Sequence, residues 1–367
     1  MEQQIGSQQR RLVSLDAFRG LTILGMLLVN NIALDTATPS HLQHARWNNG
    51  VTFADMVFPW FLFIVGVAIP YAFASHKKKG LSTVRYYMRA CNRMLALVFL
   101  GCLIDSSIAK TPLFDLGVLQ LIGLAFFAAA LLYSLPTVWR LVIAAAFLMA
   151  HWALIRFVPI PGVGSGVFSE SQNIIKHIND VYLGAYHLSG LISVIPTSAL
   201  VLIGTAVGDM LRRENIRPVR KVVYLLAGGL VLAGLGLLWN IDLPFNKPVW
   251  TPSYILFTAG WACGVLGVLY YMIDVLEWKA WAFPLVVYGS NAIVAYVLPI
   301  MVKVFVLWEW HWTCHNGSTL SIQTAFLRFF TMHTGKIAGG WLYTISYLAF
   351  WWLILLWLHH KRIYLRV

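Results

Sequence analysis

Residues 53–75 read FADMVFPWFLFIVGVAIPYAFAS, with Asp55 as their single charged residue. An apolar run of roughly 20 residues is long enough to cross the hydrocarbon core of a bilayer as a helix. Thr52, just before the run, and Asp55, three positions later, resemble a capping box. This pair gives Asp55 a structural role and predicts that a transmembrane helix begins near residue 53.

Apolar segments of similar length recur along the rest of the chain. They span 14–34, 84–104, 118–134, 137–158, 191–211, 219–239, 253–276, 281–301 and 340–358. Of the 367 residues, 59% are hydrophobic and 11% charged, and the mean hydropathy is +0.72. A soluble protein carries roughly a quarter charged residues, and a β-barrel shows alternating segments of about ten residues. We therefore predict an all-α polytopic membrane protein with about ten transmembrane helices.

The net charge of +13 is distributed unevenly between alternate connections. If the chain starts in the cytoplasm, 19 of the 27 Lys and Arg residues lie on the inner side. These inner segments are 1–19, 76–93, the turn at Arg140, 212–221, 277–280 and 359–367. By the positive-inside rule, residues 1–13 are a cytoplasmic segment and residues 359–367 a cytoplasmic tail. We expect one transmembrane domain over 1–367, no cleaved signal peptide and no nucleic-acid partner.

The outer connections are expected to be 35–52, 105–117, 159–190, 240–252 and 302–339, and they are longer than the inner turns. Long loops of this kind often carry function. The four cysteines form no Cys-x-x-Cys pair, and the histidines lack the local spacing of a metal site. We therefore expect no metal.

Two polar residues near the outer face are candidates for chemistry. His44 lies in the first outer loop, and a histidine is well suited to take a proton near neutral pH. Asn30 lies at the outer end of the first span, where its amide either caps the helix, bonds a neighbouring helix or donates to a reacting carbonyl. Ser290 and Asn291, inside the ninth span, either join helices or line a cavity.

Several short sequence motifs resemble those of the heparan-α-glucosaminide N-acetyltransferase family, which includes a lysosomal transmembrane enzyme and shorter bacterial relatives. They are Leu15-Asp16-Ala17-Phe18-Arg19-Gly20, Leu28-Val29-Asn30, His44-Ala45-Arg46-Trp47-Asn48, Ala54-Asp55-Met56-Val57-Phe58-Pro59-Trp60-Phe61, Gly190-Leu191-Ile192-Ser193-Val194-Ile195-Pro196, Asn246-Lys247-Pro248-Val249-Trp250-Thr251-Pro252-Ser253-Tyr254, Leu256-Phe257-Thr258-Ala259-Gly260 and Gly289-Ser290-Asn291-Ala292. The resemblance covers nearly the whole chain.

The resemblance implies that cytosolic acetyl-CoA is the acetyl donor and that an amino sugar is acetylated on the outer side. It puts the family's active-site histidine on His44 and its functional asparagine on Asn30. The sequence departs from the lysosomal enzyme at residues 32–43, which replace a glycine-rich stretch, and we expect it to lack that enzyme's luminal domain and the extra span before the core. We therefore expect a small glucosamine-type acceptor, and a bacterial inner-membrane location with both termini in the cytoplasm.

His44 would act as general base or as an acetyl carrier, and the sequence leaves both routes open. Weaker acceptor-binding candidates are Trp47, Asp55, Ser290 and Asn291. Candidates for the phosphates of acetyl-CoA are Arg11, Arg19, Lys78, Arg85, Arg89, Arg93 and Arg212, since basic groups attract that anion. Membrane lipids are expected partners, and we consider a homodimer. The alternative functions are a transporter or flippase for a sugar or lipid-linked sugar, and an O-acetyltransferase of envelope glycans.

Overall fold

The computed structural model describes residues 12–313 and 319–365, and these are mostly helical. The α-helices are α1 Val13–Asn31, α2 Phe53–Lys78, α3 Thr83–Ala109, α4 Val118–Leu132, α5 Thr137–Phe157, α6 Ile174–Ile178, α7 Val194–Arg212, α8 Pro218–Trp239, α9 Pro252–Tyr270, α10 Phe283–Ser290, α11 Ala292–Val302, α12 Ile322–Thr334 and α13 Lys336–His360. Strands β1 His311–Thr313 and β2 Thr319–Ser321 pair antiparallel, with Trp312 opposite Leu320.

The protein is an all-α polytopic membrane protein, as predicted. Within the described ranges, eight helical segments are long and apolar enough to span a bilayer. They are Val13–Asn31, Phe53–Lys78, Thr83–Ala109, Thr137–Phe157, Leu191–Arg212, Pro218–Trp239, Pro252–Val275 and Lys336–His360. The fourth predicted span is the shorter helix α4, of 15 residues.

The ninth predicted span is broken rather than continuous. Ala280–Ser290 and Ala292–Trp308 pass the same test together but are bent by 66°. The break falls at Asn291, whose amide donates to the Ile363 carbonyl at 3.0 Å and accepts from the Leu365 N–H at 3.1 Å. The C-terminal segment therefore fills the space at the bend and satisfies the Asn291 side chain.

The stretch 302–339, expected as an outer loop, contains ordered structure. A π-helical turn at Lys303–Trp308 leads into the β1–β2 hairpin, which is followed by α12. Helix α12 leaves Phe326, Phe329 and Met332 more than half exposed. An amphipathic helix with such a face is typical of the membrane–water boundary.

Glycines allow α1 and α2 to pack closely against their neighbours. A Cβ on Gly66 of α2 would lie 2.1 Å from the Val201 carbonyl oxygen of α7. A Cβ on Gly289 of α10 would lie 2.0 Å from the Asp16 carbonyl oxygen of α1. Small residues permit such backbone contact between membrane helices. These contacts fix the two helices that carry the candidate residues Asn30 and Asp55.

Candidate active site

The imidazole of His44 is held by the carboxylate of Asp55. The two atoms His44 Nδ1 and Asp55 Oδ1 are 2.8 Å apart. The His44 side chain is 55% exposed, whereas that of Asp55 is only 4% exposed. A buried carboxylate therefore orients a solvent-accessible imidazole, an arrangement that generates a positioned base.

Asp55 is itself fixed by the start of α2. Thr52 and Asp55 form the predicted capping box. Asp55 Oδ2 accepts from the backbone N–H groups of Ala45 at 3.0 Å and Thr52 at 3.2 Å. The Tyr254 hydroxyl donates to the Asp55 backbone carbonyl at 2.6 Å. One oxygen thus caps the helix while the other holds His44, so the structural and functional roles of Asp55 coexist.

Lys247 is the second charged neighbour of this pair. Its ammonium lies 3.1 Å from His44 Nδ1 and 3.5 Å from Asp55 Oδ1. Nδ1 cannot both donate to Asp55 and accept from Lys247. We assign the proton to Nδ1, because the contact with the carboxylate is shorter and the lysine can pair with the same carboxylate. This assignment leaves Nε2 of His44 as a free acceptor.

The loop before α9 brings Lys247 to the site. The side chain of Asn246 donates to Asn48 Oδ1 at 3.1 Å and accepts from the Val249 N–H at 3.0 Å. The bond to Asn48 ties the α8–α9 loop to the loop that carries His44, and the bond from Val249 holds the Asn246 side chain within its own loop. Burial lowers the pKa of the Lys247 ammonium, and the nearby Asp55 carboxylate partly opposes this effect.

A cavity of about 520 Å³ lies beside His44, with Asp55, Lys247 and Asn30 also in its wall. The side-chain amide of Asn31, the residue after Asn30, donates to the Leu27 carbonyl at 2.8 Å and therefore bonds within α1. The Asn30 amide is exposed and makes no hydrogen bond to any described residue. It is therefore available to donate to a group in the cavity.

A smaller cavity, of about 30 Å³, has Arg93 in its wall and borders this region. It shares Met26, Val118 and Tyr296 with the wall of the larger cavity. The Arg93 guanidinium lies 4.5 Å from the centre of the Phe126 ring, and its buried Nε has no hydrogen-bond partner in the described part of the chain. Arg93 is thus a phosphate candidate that lines a cavity next to the one beside His44.

The remaining phosphate candidates differ in their surroundings. Arg19 pairs with Asp16 at 3.1 Å, and Arg212 lies over the Tyr71 ring at 5.9 Å. Nη1 of Arg89 lies 3.5 Å from His76 Nδ1. Lys78 and Arg85 are exposed at the facing ends of α2 and α3, and Arg11 lies outside the described residues.

The weaker acceptor candidates other than Asp55 lie outside the walls of the cavities described above. Trp47 packs against Phe168, with ring centroids 5.2 Å apart. The Ser290 hydroxyl donates to the Val287 carbonyl at 2.8 Å, and the Asn291 amide is occupied by the C-terminal segment. Ser290 therefore bonds within its own helix, Asn291 bonds to the C-terminal segment, and neither lines the His44 cavity.

Two cavity residues were not singled out from the sequence. Lys247 lies within one of the sequence motifs that carry the family resemblance, and this position could have marked it as a site residue. Tyr296 lies in an apolar helix among similar aromatic residues, and nothing in the sequence distinguishes it. In the described ranges, no group of three or more His, Cys, Asp or Glu residues is placed to hold a metal ion.

Known proteins with similar sequences show the family of this chain. A family model described as "Heparan-alpha-glucosaminide N-acetyltransferase, catalytic" matches residues 11–236. The Homo sapiens protein named heparan-alpha-glucosaminide N-acetyltransferase is 27% identical over 352 residues, which cover 78% of this chain and 52% of the relative. The Mus musculus protein of that name is 25% identical over 369 residues, which cover 83% and 55%. The chain spans about half the length of these curated relatives. Because the family model matches more than half of it, the chain belongs to the heparan-alpha-glucosaminide N-acetyltransferase catalytic family.

Proposed function

We propose that this chain is a membrane acetyltransferase that moves the acetyl group of acetyl-CoA to the amine of a glucosamine-type sugar. The observation that carries the proposal is the cavity in which an oriented His44 imidazole and the unpaired Asn30 amide meet. A base and a hydrogen-bond donor facing one space are what acyl transfer requires. The names of the two relatives support the same reaction class.

In the direct route, the amine nitrogen attacks the carbonyl carbon of the thioester. His44 Nε2 accepts a proton from the amine as the C–N bond forms. Asn30 donates to the carbonyl oxygen as negative charge develops there. The C–S bond then breaks, and the proton passes from His44 to the departing sulfur. The products are the N-acetyl sugar and free CoA.

In the two-step route, His44 Nε2 attacks the thioester carbon first, the C–S bond breaks and CoA leaves as the thiolate. The amine then attacks the acetyl-imidazolium, the bond between the acetyl carbon and Nε2 breaks to regenerate His44, and the proton released by the amine passes to solvent or to the thiolate. The Nδ1–H bond to Asp55 suits both routes, because each of them uses Nε2. Release of free CoA from a single turnover without acceptor would identify the second route.

The proposed orientation puts His44 on the outer side and the basic segments in the cytoplasm of a bacterial inner membrane, with residues 1–367 as one domain. Charge distribution supports this orientation. Arg93 and Arg212 are then the preferred contacts for the phosphates of acetyl-CoA, because the guanidinium fork matches phosphate oxygens and both Nε atoms are buried without a hydrogen-bond partner among the described residues.

Reconstitution into sealed vesicles tests the proposal. Acetyl-CoA with a labelled acetyl group is supplied on one side and glucosamine is enclosed on the other. We expect labelled N-acetylglucosamine to accumulate when glucosamine is enclosed in the vesicles. Flux of unmodified sugar without acetyl-CoA would instead indicate a transporter. Acetylation of glucose as readily as of glucosamine would indicate O-acetyl transfer. Either result contradicts the proposed activity.

Lys247→Arg is expected to extend activity to higher pH. Because burial lowers the pKa of Lys247, its ammonium becomes neutral at a lower pH than that of a free lysine, and Asp55 then loses a charged partner. Arginine keeps its charge throughout this range. The alkaline limb of the kcat/KM profile should therefore move upward in this variant. Lys279→Arg, at a half-exposed lysine, is the control and should leave the profile unchanged. An unmoved alkaline limb in Lys247→Arg would contradict a role for this charge.

A further inference from the structure

A second cavity, of about 430 Å³, adjoins the one that contains His44. The two cavities share Asn30, Val118 and Tyr296 as wall residues. The second cavity is enclosed by the ends of α1, α3 and α4, and by α11 and α13 with the π-helical turn at Lys303–Trp308. Its volume lies within the range of small-molecule sites. The proposed reaction uses no residue of this cavity except Asn30.

The cavity contains a carboxylate that has no cationic partner among the described residues. Asp105 of α3 is half-buried, and its Oδ2 accepts from Gln120 Nε2 at 2.7 Å. No ion pair joins Asp105 to any described lysine, arginine or histidine. Removing a charge from water is costly unless hydrogen bonds or an opposite charge compensate for it. A ligand with several hydroxyl donors would supply those bonds.

The pair formed by Asp105 and Gln120 is built into the packing of α3 and α4. Gln120 is only 1% exposed, and its Oε1 has no partner in the described part of the chain. A Cβ on Gly117 would lie 2.2 Å from Asp105 Oδ2, and one on Gly101 would lie 2.1 Å from Gln120 Oε1. Two glycines thus leave the space in which these polar groups sit beside the cavity.

Helix α11, the π-helical turn and α13 add further donors and aromatic rings to the wall of this cavity. Lys303 Nζ donates to Asn31 Oδ1 at 3.0 Å and to the Asn30 carbonyl at 3.1 Å. The Tyr296 hydroxyl has no hydrogen bond to a described residue. Trp308 and Tyr347 complete the wall with rings. A wall that combines directional polar groups with aromatic rings suits a pyranose, which presents hydroxyls at its edge and an apolar ring face.

We propose that this second cavity binds the pyranose ring of the acceptor, with Asp105 accepting hydrogen bonds from its hydroxyls. The sugar amine then passes Asn30, which belongs to both cavities, and enters the space beside His44. This inference rests on the proposed acetyltransferase function for the identity of the acceptor. It makes the ring hydroxyls, and not only the amine, determinants of affinity.

Equilibrium binding to the full chain in detergent tests the subsite without relying on turnover. Glucosamine, glucose and ethanolamine are titrated separately, and acetyl-CoA is titrated as the reference ligand. We expect both sugars to bind at least tenfold more tightly than ethanolamine. Asp105→Asn should weaken binding of the sugars at least tenfold and leave the affinity for acetyl-CoA unchanged. Ile108→Trp, which narrows the same cavity from its wall, should have the same selective effect.

Asp115→Asn is the matched control, because its side chain lies outside the cavity wall and the substitution removes the same charge nearby. Sugar affinity within twofold of the original in either Asp105→Asn or Ile108→Trp would overturn the subsite. Equal loss of sugar binding in Asp115→Asn would also overturn it. If sugar binding depends on Asp105 but the vesicle assay yields no acetylated product, the proposed reaction fails and the sugar site stands.

Discussion

His44→Ala is expected to lower kcat for acetyl transfer by about 10²- to 10⁴-fold, the range that general acid–base catalysis contributes. The substitution removes Nε2, the acceptor that the bond between Nδ1 and Asp55 leaves free. The side chain is 55% exposed, so its loss creates little unfilled space and the chain should still fold. Binding of acetyl-CoA should be retained.

The measurement is the rate of formation of the N-acetyl sugar at saturating acetyl-CoA, with unfolding temperature as the check on folding. His41→Ala is the matched control, since His41 is an exposed histidine in the same loop and outside the cavity wall. It should keep full activity. A His44→Ala variant that folds and retains more than a third of the original kcat would remove His44 from the mechanism.

The fold class follows from the apolar runs, because a bilayer core requires about 20 such residues per helix. The bend in the ninth span does not follow from them. The segment around Asn291 is as apolar as its neighbours, and the bond that satisfies this side chain comes from Ile363, 72 residues later. Local hydropathy carries no information about a partner at that distance.

His44 and Asn30 were predicted as site residues from their positions and from the family resemblance, but their environment was not predicted. The capping pattern gave Asp55 one role, whereas its second oxygen holds His44 from 11 residues away. Lys247 reaches the same imidazole from 203 residues away. Among the candidates for the phosphates of acetyl-CoA, Arg93 lies within the bundle, whereas Lys78 and Arg85 are exposed. Counting the charges in each loop could not reveal this difference. Depth within a helix bundle depends on how the helices pack against one another.

Asn30 is the second position where a large effect on the rate is expected. Its amide faces the His44 cavity without a hydrogen bond to a described residue, so it can donate to an oxyanion with little rearrangement. Removing one such donor costs about 10²- to 10³-fold in kcat in comparable sites. Asn30→Ala should show this loss. Asn30→Asp keeps the shape but replaces the donor with a negative charge, and it should lose at least as much.

The division of the effect between kcat and KM tests the assignment. A donor that acts on the developing oxyanion lowers kcat and leaves KM for acetyl-CoA and for the sugar nearly unchanged. A residue that only forms the wall between the two cavities would raise KM for the sugar and spare kcat. Asn49→Ala, at an exposed asparagine of the His44 loop, is the control and should change neither. If Asn30→Ala keeps kcat within threefold of the original, the oxyanion is stabilised by another group.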